Sequence, residues 1–215
     1  MVKNTLVIEW LRQACLSLEK NAGLLTELDA QIGDADHGIN MVRGFQKVNG
    51  LLGGLASQDI GAILKATGMA LVSTVGGASG PLYGSFFLDA AKEAGNRTSM
   101  SDDAWARVFG AGLAGIRRIG KANPADKTML DALQPAFGAF QESVSQGKSL
   151  IEASEAMVAA AARGRDATTP MVARKGRASY LGERSAGHMD PGAASAHLLL
   201  EAFARAVAAE PAEKA

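Results

Sequence analysis

LVIEWLRQACLSL, residues 6–18, places Leu6, Val7, Trp10, Leu11, Ala14, Cys15 and Leu18 at steps of three and four. That spacing puts them on one face of an α-helix. The same period returns along the chain. It runs through Met41, Phe45, Val48 and Leu52, then through Ile60, Ile63, Leu64, Thr67, Leu71 and Val75. Leu82, Phe86, Phe87, Ala90 and Ala91 form a fourth stripe, and Trp105, Val108, Phe109, Gly112, Ile116 and Ile119 a fifth, entered through the capping stretch SMSDD. Met129, Leu133, Phe137, Phe140 and Val144 make a sixth, with a kink expected at Pro135. Leu150, Ile151, Ser154, Met157, Val158 and Ala161 make the seventh, and Leu198, Leu199, Ala202, Phe203 and Val207 the eighth. No period-two segment carries turn chemistry at both ends. The expected fold is all-α, a bundle of about eight antiparallel helices.

Composition narrows the function classes. A chain of 215 residues with 47% hydrophobic residues can bury a sizeable core, and no low-complexity linker divides it, so a single domain over 1–215 is expected. The closing AAEPAEKA reads as a disordered tail from about residue 209. The net charge of +0 argues against a nucleic-acid surface. No apolar run approaches a membrane span, and MVKNTLVIEW is not a secretory signal. The single cysteine, Cys15, reads as a core residue, which fits a reducing cytoplasm.

Four stretches carry chemistry. LDAQIGDADHGINM, residues 28–41, crowds Asp29, Asp34 and Asp36 beside His37, with Gly33 and Gly38 permitting a folded loop. Hard carboxylate oxygens this close suit Mg²⁺ or Ca²⁺, and Mg²⁺ if phosphate completes the shell. An EF-hand fails, because the twelfth position from Asp34 is Phe45. Helix caps and solvated turns are the alternative, and the residues alone leave both open. His37 reads as a backbone-bonded loop histidine or as a ligand contact, and Asn40 as a cap or a phosphate contact.

In STVGGASGPLYGSFF, residues 73–87, Gly76 and Gly77 end one helix and Ser79 is expected to cap the next. Open N–H groups at such a helix start attract phosphate, although a plain helix–helix turn reads equally well. RKGRASYLGERSAGHMDPGAAS, residues 174–195, lies in a segment without periodicity, from about 166 to 190. It gathers Arg174, Lys175, Arg177 and Arg184, either to meet phosphate bidentately or as a solvated charged loop. Asp190 then caps the last helix with Pro191 in its first position. In RIGKANPADKTML, residues 118–130, Gly120 ends a helix, and Lys127 with Thr128 opens the next; the stretch lines a purine or phosphate, or is only a connection. Together these are the parts phosphoryl transfer needs: positioning and charge neutralisation.

IGDADHGINM, GGASGPLYGSFF, KANPADKTM and GRASYLGERSAGHMDPGA closely resemble the L-subunit family of bacterial dihydroxyacetone kinases, over nearly the whole chain. The resemblance implies a barrel of eight antiparallel helices with the nucleotide at one end. It implies ADP or ATP as cofactor with Mg²⁺, two ions, held by Asp29, Asp34 and Asp36. Nucleotide contacts carry over to His37, Gly38, Ile39, Asn40, Ala78, Ser79, Gly120, Met129, Arg177, Asp190 and Pro191, some through backbone atoms. The Ser79 helix start and Arg177 are read as holding phosphates and neutralising charge developing in transfer. Many relatives have glycine between the last two aspartates where this chain has Ala35, and the alanine predicts ordinary backbone angles there.

The resemblance also implies partners. A K subunit holds dihydroxyacetone. In the phosphotransferase-system branch, which these motifs resemble most, an M subunit recharges the bound ADP from a phosphohistidine. The alternatives are an L-type subunit of an ATP-dependent ketose or tetrose kinase, and an ADP-loaded sensor that binds a transcription regulator. A metal-dependent phosphohydrolase is a third.

Overall fold

The computed structural model describes residues 1–210. Each of the eight apolar stripes becomes a helix: α1 (Asn4–Lys20), α3 (His37–Leu55), α4 (Ile60–Thr74), α5 (Ser79–Ala94), α6 (Asp102–Gly120), α7 (Met129–Ser145), α8 (Leu150–Ala167) and α9 (Pro191–Ala209). They pack in sequence order from α3 to α9, and α1 closes the ring by touching both α3 and α9. Short connections at most of these joints set neighbours antiparallel. A ninth helix, α2 (Ala22–Ile32), lies outside the ring and packs on α3, α9 and α1. Its buried residues are few, Leu25, Asp29 and Ile32, too sparse to print a stripe. The remaining elements are a 3-10 segment at Arg177–Ser185 and two short strands, β1 (Val2–Lys3) and β2 (Ser99–Met100), paired antiparallel with Val2 opposite Met100. Two-residue strands carry no readable alternation.

Aromatic rings fill the barrel. Trp10 meets Phe87, Trp105 and Phe203 edge-on or tilted, and Trp105 stacks on Phe203 with centroids 5.6 Å apart. The Trp10 indole donates to the Leu199 carbonyl at 2.9 Å, tying α1 to α9. Gaps between the rings hold about 10 and 20 Å³, room for no more than a water molecule. Cys15 is buried in the same core, and burial with Glu19 nearby pushes its thiol up to about 11. No described helix is long and apolar enough to cross a membrane.

Caps follow the sequence at several ends. Ser101 accepts from the Ala104 amide at 3.3 Å, and Asp190 accepts from Ala193 at 2.7 Å with Pro191 first in α9. Thr128 and Asp131 form a reciprocal capping box at the start of α7, which runs on through Pro135. Helix α9 extends through Ala209, the first residue expected to be tail; the expectation for 211–215 lies outside the described residues.

Candidate functional site

The alternation of the barrel decides where chemistry can occur. Helices α3, α5, α7 and α9 all begin at one end, at His37, Ser79, Met129 and Pro191. Residues at all four starts line one cavity of about 200 Å³. Each start brings the positive end of a helix dipole to the chamber, so four of them favour an anion. An apolar cavity of about 390 Å³ adjoins it, lined by Leu82, Ile116, Ile119, Gly120 and Met129 among others. Ala78, Leu82, Thr128, Met129, Lys175 and Gly176 border both. A polar, charged chamber beside an apolar slot suits a ligand with an anionic end and a planar apolar end.

Three carboxylates stand at the polar chamber. Ligand oxygens of Asp29, Asp34 and Asp36 lie within 4.8 Å of one another. Asp29 is not in a loop, as its sequence suggested, but in the last turn of α2, where it is buried. Its Oδ2 accepts from the amides of Asp36 at 2.9 Å and His37 at 3.1 Å, so it caps α3 from a neighbouring helix. Capping and metal ligation are therefore compatible in one residue: one carboxylate arranges the loop that presents the other two. A Cβ on Gly33 would collide with the Asp29 carboxylate, and one on Gly38 with the Ala22 carbonyl and Thr26 hydroxyl. Glycine at these positions lets α2 reach the start of α3. The donor set, three hard oxygens with open space in front, fits Mg²⁺ with phosphate completing the shell.

Ala35 does not have ordinary backbone angles. Its φ is 62°, in the left-handed region that favours glycine. Among the described residues the other non-glycine positions with positive φ are Lys121, Ala125 and Lys127, all in the α6–α7 loop at this same end. Strain is concentrated where the loops converge.

His37 opens α3 rather than sitting in a loop, and it is buried. Its Nε2 lies 2.9 Å from the Ser195 hydroxyl, and its Nδ1 lies 3.2 Å from the Ser79 hydroxyl. Ser195 donates to the Gly192 carbonyl at 3.0 Å and, its own proton so used, accepts a hydrogen bond from the Tyr83 hydroxyl at 2.8 Å. That leaves Ser195 to accept from Nε2–H and Nδ1 to accept from Ser79, a neutral imidazole. Burial lowers the affinity of His37 for a second proton, against the upward pull of Asp29 and Asp36. Ser79 is thus not the cap of α5: Ala78 holds that position and Ser79 faces the histidine. Asn40 is no cap either; it lies inside α3, and its side-chain oxygen accepts from Arg43 at 2.6 Å. Arg43 also donates to the Thr74 carbonyl at 2.8 Å, bracing the end of α4.

Arg177 reaches the cluster from the segment between α8 and α9, its guanidinium 2.8 Å from Asp34. Asp190 is buried under α9, and burial pushes its carboxyl up to about 7. Of the sequence candidates, Asp29, Asp34, Asp36, His37, Asn40, Ala78, Ser79, Met129, Arg177, Asp190 and Pro191 border the polar chamber, and Gly120 the apolar one. Gly38 and Ile39 border neither; Gly38 is packed under α2 and the Ile39 side chain is exposed. Sequence reasoning missed Leu82, Gly192, and the Tyr83–Ser195 support of His37. Tyr83 and Ser195 sit on ordinary helical faces and gave no signal.

The DAK2 domain family matches residues 31–205. The chain is similar to the ADP-binding subunit DhaL of the PEP-dependent dihydroxyacetone kinase of Escherichia coli K12, 45% identical over 95% of this chain and 98% of that one. It is 43% identical to the ADP-binding subunit DhaL of PEP-dependent dihydroxyacetone kinase 2 of Listeria innocua, over 85% of each. Its fold is similar to that of the dihydroxyacetone kinase from C. freundii in complex with AMP-PNP and Mg²⁺, with TM-score 0.72 and 27% identity, covering 95% of this chain and 34% of that one.

Proposed function

The chain belongs to the DAK2 domain family, and from that premise we propose that it is the nucleotide-binding phosphotransfer subunit of a dihydroxyacetone kinase. The whole chain acts as one nucleotide-binding domain, carrying ADP and ATP with Mg²⁺. The single observation that supports this best is the meeting of four helix starts and three carboxylates at one chamber beside an apolar slot. Asp29, Asp34 and Asp36 hold the metal ions, two of them. Bound Mg²⁺ supplies charge neutralisation on the phosphates. The starts of α3 and α5, with His37, Asn40, Ala78 and Ser79, receive the phosphate chain. Gly38 and Ile39 contribute only through the backbone of that turn. Gly120 and Met129 face the base, and Asp190 with Pro191 closes the floor. Arg177 meets the migrating phosphoryl group, whose charge shifts during transfer. No side chain need become covalently phosphorylated.

The acceptor, dihydroxyacetone, is held on a separate K subunit, and an M subunit bearing a phosphohistidine recharges the nucleotide. The near-complete coverage of stand-alone ADP-binding subunits supports this coenzyme reading. The likeness to a longer kinase bound to AMP-PNP favours a second reading, in which ATP is a consumed substrate. Mass analysis of the nucleotide released on denaturing the purified protein separates them. Stoichiometric ADP that survives gel filtration supports the coenzyme; protein that is empty but turns over added ATP supports the substrate reading. Protein that neither carries nor binds adenine nucleotide contradicts both.

A further inference from the structure

Lys127 belongs to the stretch read as lining a purine or phosphate or as only a connection; it borders the polar chamber at the start of α7, but its ammonium is turned into the protein. Its side chain is among the largest fully buried in the protein, and its Nζ donates to four backbone carbonyls: Ser185 at 2.6 Å, His188 at 2.5 Å, Met171 at 3.0 Å and Thr169 at 3.4 Å. An ammonium has three protons and no acceptor, so these oxygens satisfy it completely. Lys127 holds a left-handed backbone, φ 63°, to turn inward. A buried cation in strained backbone is costly and persists where the surrounding structure enforces it.

The four carbonyls fall in two pairs. Thr169 and Met171 lie at the entry of the segment between α8 and α9, and Ser185 and His188 at its exit. One ammonium therefore gathers both ends of the irregular stretch that carries Arg177. Two weaker ties cross the same neck, Gly187 N to Thr169 O at 2.8 Å and Ala173 N to Ser185 Oγ at 2.8 Å. Among the described residues one backbone bond, Arg174 N to Asp126 O at 3.0 Å, otherwise joins the segment to the α6–α7 loop. Beyond the neck its apolar support is small: Ala173, Ala178 and Leu181 on Ile32.

We propose that Lys127 is the positioning residue for Arg177: its buried ammonium closes the 169–188 segment and fixes it to the loop that begins α7, holding the arginine over the carboxylate cluster. This rests on the phosphotransfer reading above. Losing the tie leaves the barrel intact but lets Arg177 wander, so it removes transfer more than binding.

The test uses Lys127→Met and Lys127→Gln in the full chain, alone and with Arg177→Ala. Three quantities are read: phosphoryl transfer from labelled ATP to ketose in the assembled kinase, ADP affinity with Mg²⁺, and tryptic cleavage at the exposed Arg174, Lys175, Arg177 and Arg184. Each Lys127 variant is expected to lose roughly tenfold or more in transfer while ADP affinity stays within about threefold, and to be cut faster in the segment. In the Arg177→Ala background the same variants should cost less than about twofold more, because a residue that acts through another is not additive with it. Additive losses, unchanged transfer, or unchanged proteolysis would overturn the proposal. So would failure of both variants to fold, which would make Lys127 a general folding element. A wild-type assembly that transfers nothing contradicts the functional reading instead; proteolysis of the Lys127 variants still decides whether the tie exists.

Discussion

Arg177 and Asp34 form an ion pair at 2.8 Å across the mouth of the polar chamber. It joins the segment before α9 to the loop before α3, and so closes over the carboxylate cluster. The arginine side chain is 64% exposed and the aspartate 38%, so solvent screens the pair and it contributes little to stability. A carboxylate cannot give the same lone pairs to an arginine and to a metal ion. A metal ion bound through that same Asp34 Oδ2 would compete with this pair and free the guanidinium to turn toward phosphate.

Arg177→Ala should slow phosphoryl transfer by roughly a thousandfold, as removal of such an arginine does elsewhere, while weakening ADP binding far less. The metal ions and the starts of α3 and α5 still anchor the diphosphate. Arg177→Lys should restore little, since an ammonium lacks the planar fork. Transfer rates beside calorimetric ADP affinity for the same variants check this. Equal losses in both would make Arg177 a binding residue only.

Asp36→Asn should keep the fold and sharply weaken magnesium-dependent ADP binding. Neither Asp36 oxygen is tied up as the Asp29 oxygen is by the α3 amides, so its loss falls on the metal. Unchanged ADP affinity in the presence of Mg²⁺ would remove Asp36 from the ligand set.

Ala35→Gly should stabilise the protein. The left-handed φ of 62° costs alanine about 1 kcal/mol or more, and the greater freedom of glycine in the unfolded chain returns part of that. A net gain of about 0.5 kcal/mol, or about 1–2 °C in Tm, is expected from a scan of the nucleotide-free protein. A lowered Tm would contradict the strained geometry.

Asp190 predicts a pH dependence. Its folded pKa of about 7 lies above the unfolded value, so the native state binds the proton more tightly. The stability this gives is fully present below about pH 4 and is lost as pH rises through 7, at no more than about 1.4 kcal/mol per pH unit. Asp131 and Asp29 add to the effect and Lys127 opposes it. Asp190→Asn can still cap Ala193 but carries no charge. Denaturant titrations without nucleotide should show this variant gaining on the wild type between pH 5 and 8. A constant difference across that range would show that the carboxyl titrates normally.

Much of the barrel was legible because its helices obey one rule. Each buries most of a stripe at steps of three and four, Ile119 and Ile151 being exposed exceptions, and the eight helices became the ring. Helix α2 was illegible for the converse reason: it lies on the outside and buries too little. The aspartates, Ser79 and Arg177 could be named from the chain, but their local roles could not. Asp29 caps a helix that it does not belong to, and Ser79 faces a histidine from a different helix, so both depend on tertiary approach. Ala35 was misread because alanine ordinarily excludes the angles that this crowded turn imposes. Lys127 was the least legible. Nothing local to its loop shows that four carbonyls from residues 169–188 surround its ammonium.

Thermal unfolding with Mg²⁺ and ADP, before and after EDTA, tests the central claim most directly, that metal ions on the aspartate cluster link this protein to nucleotide phosphate. A ligand that binds only the folded form at a hundredfold excess over its Kd adds about 2.7 kcal/mol, and a corresponding rise in Tm is expected. EDTA should reverse most of that rise in the wild type, and Asp36→Asn should show little rise to reverse. Equal stabilisation by ADP with and without EDTA would contradict the claim.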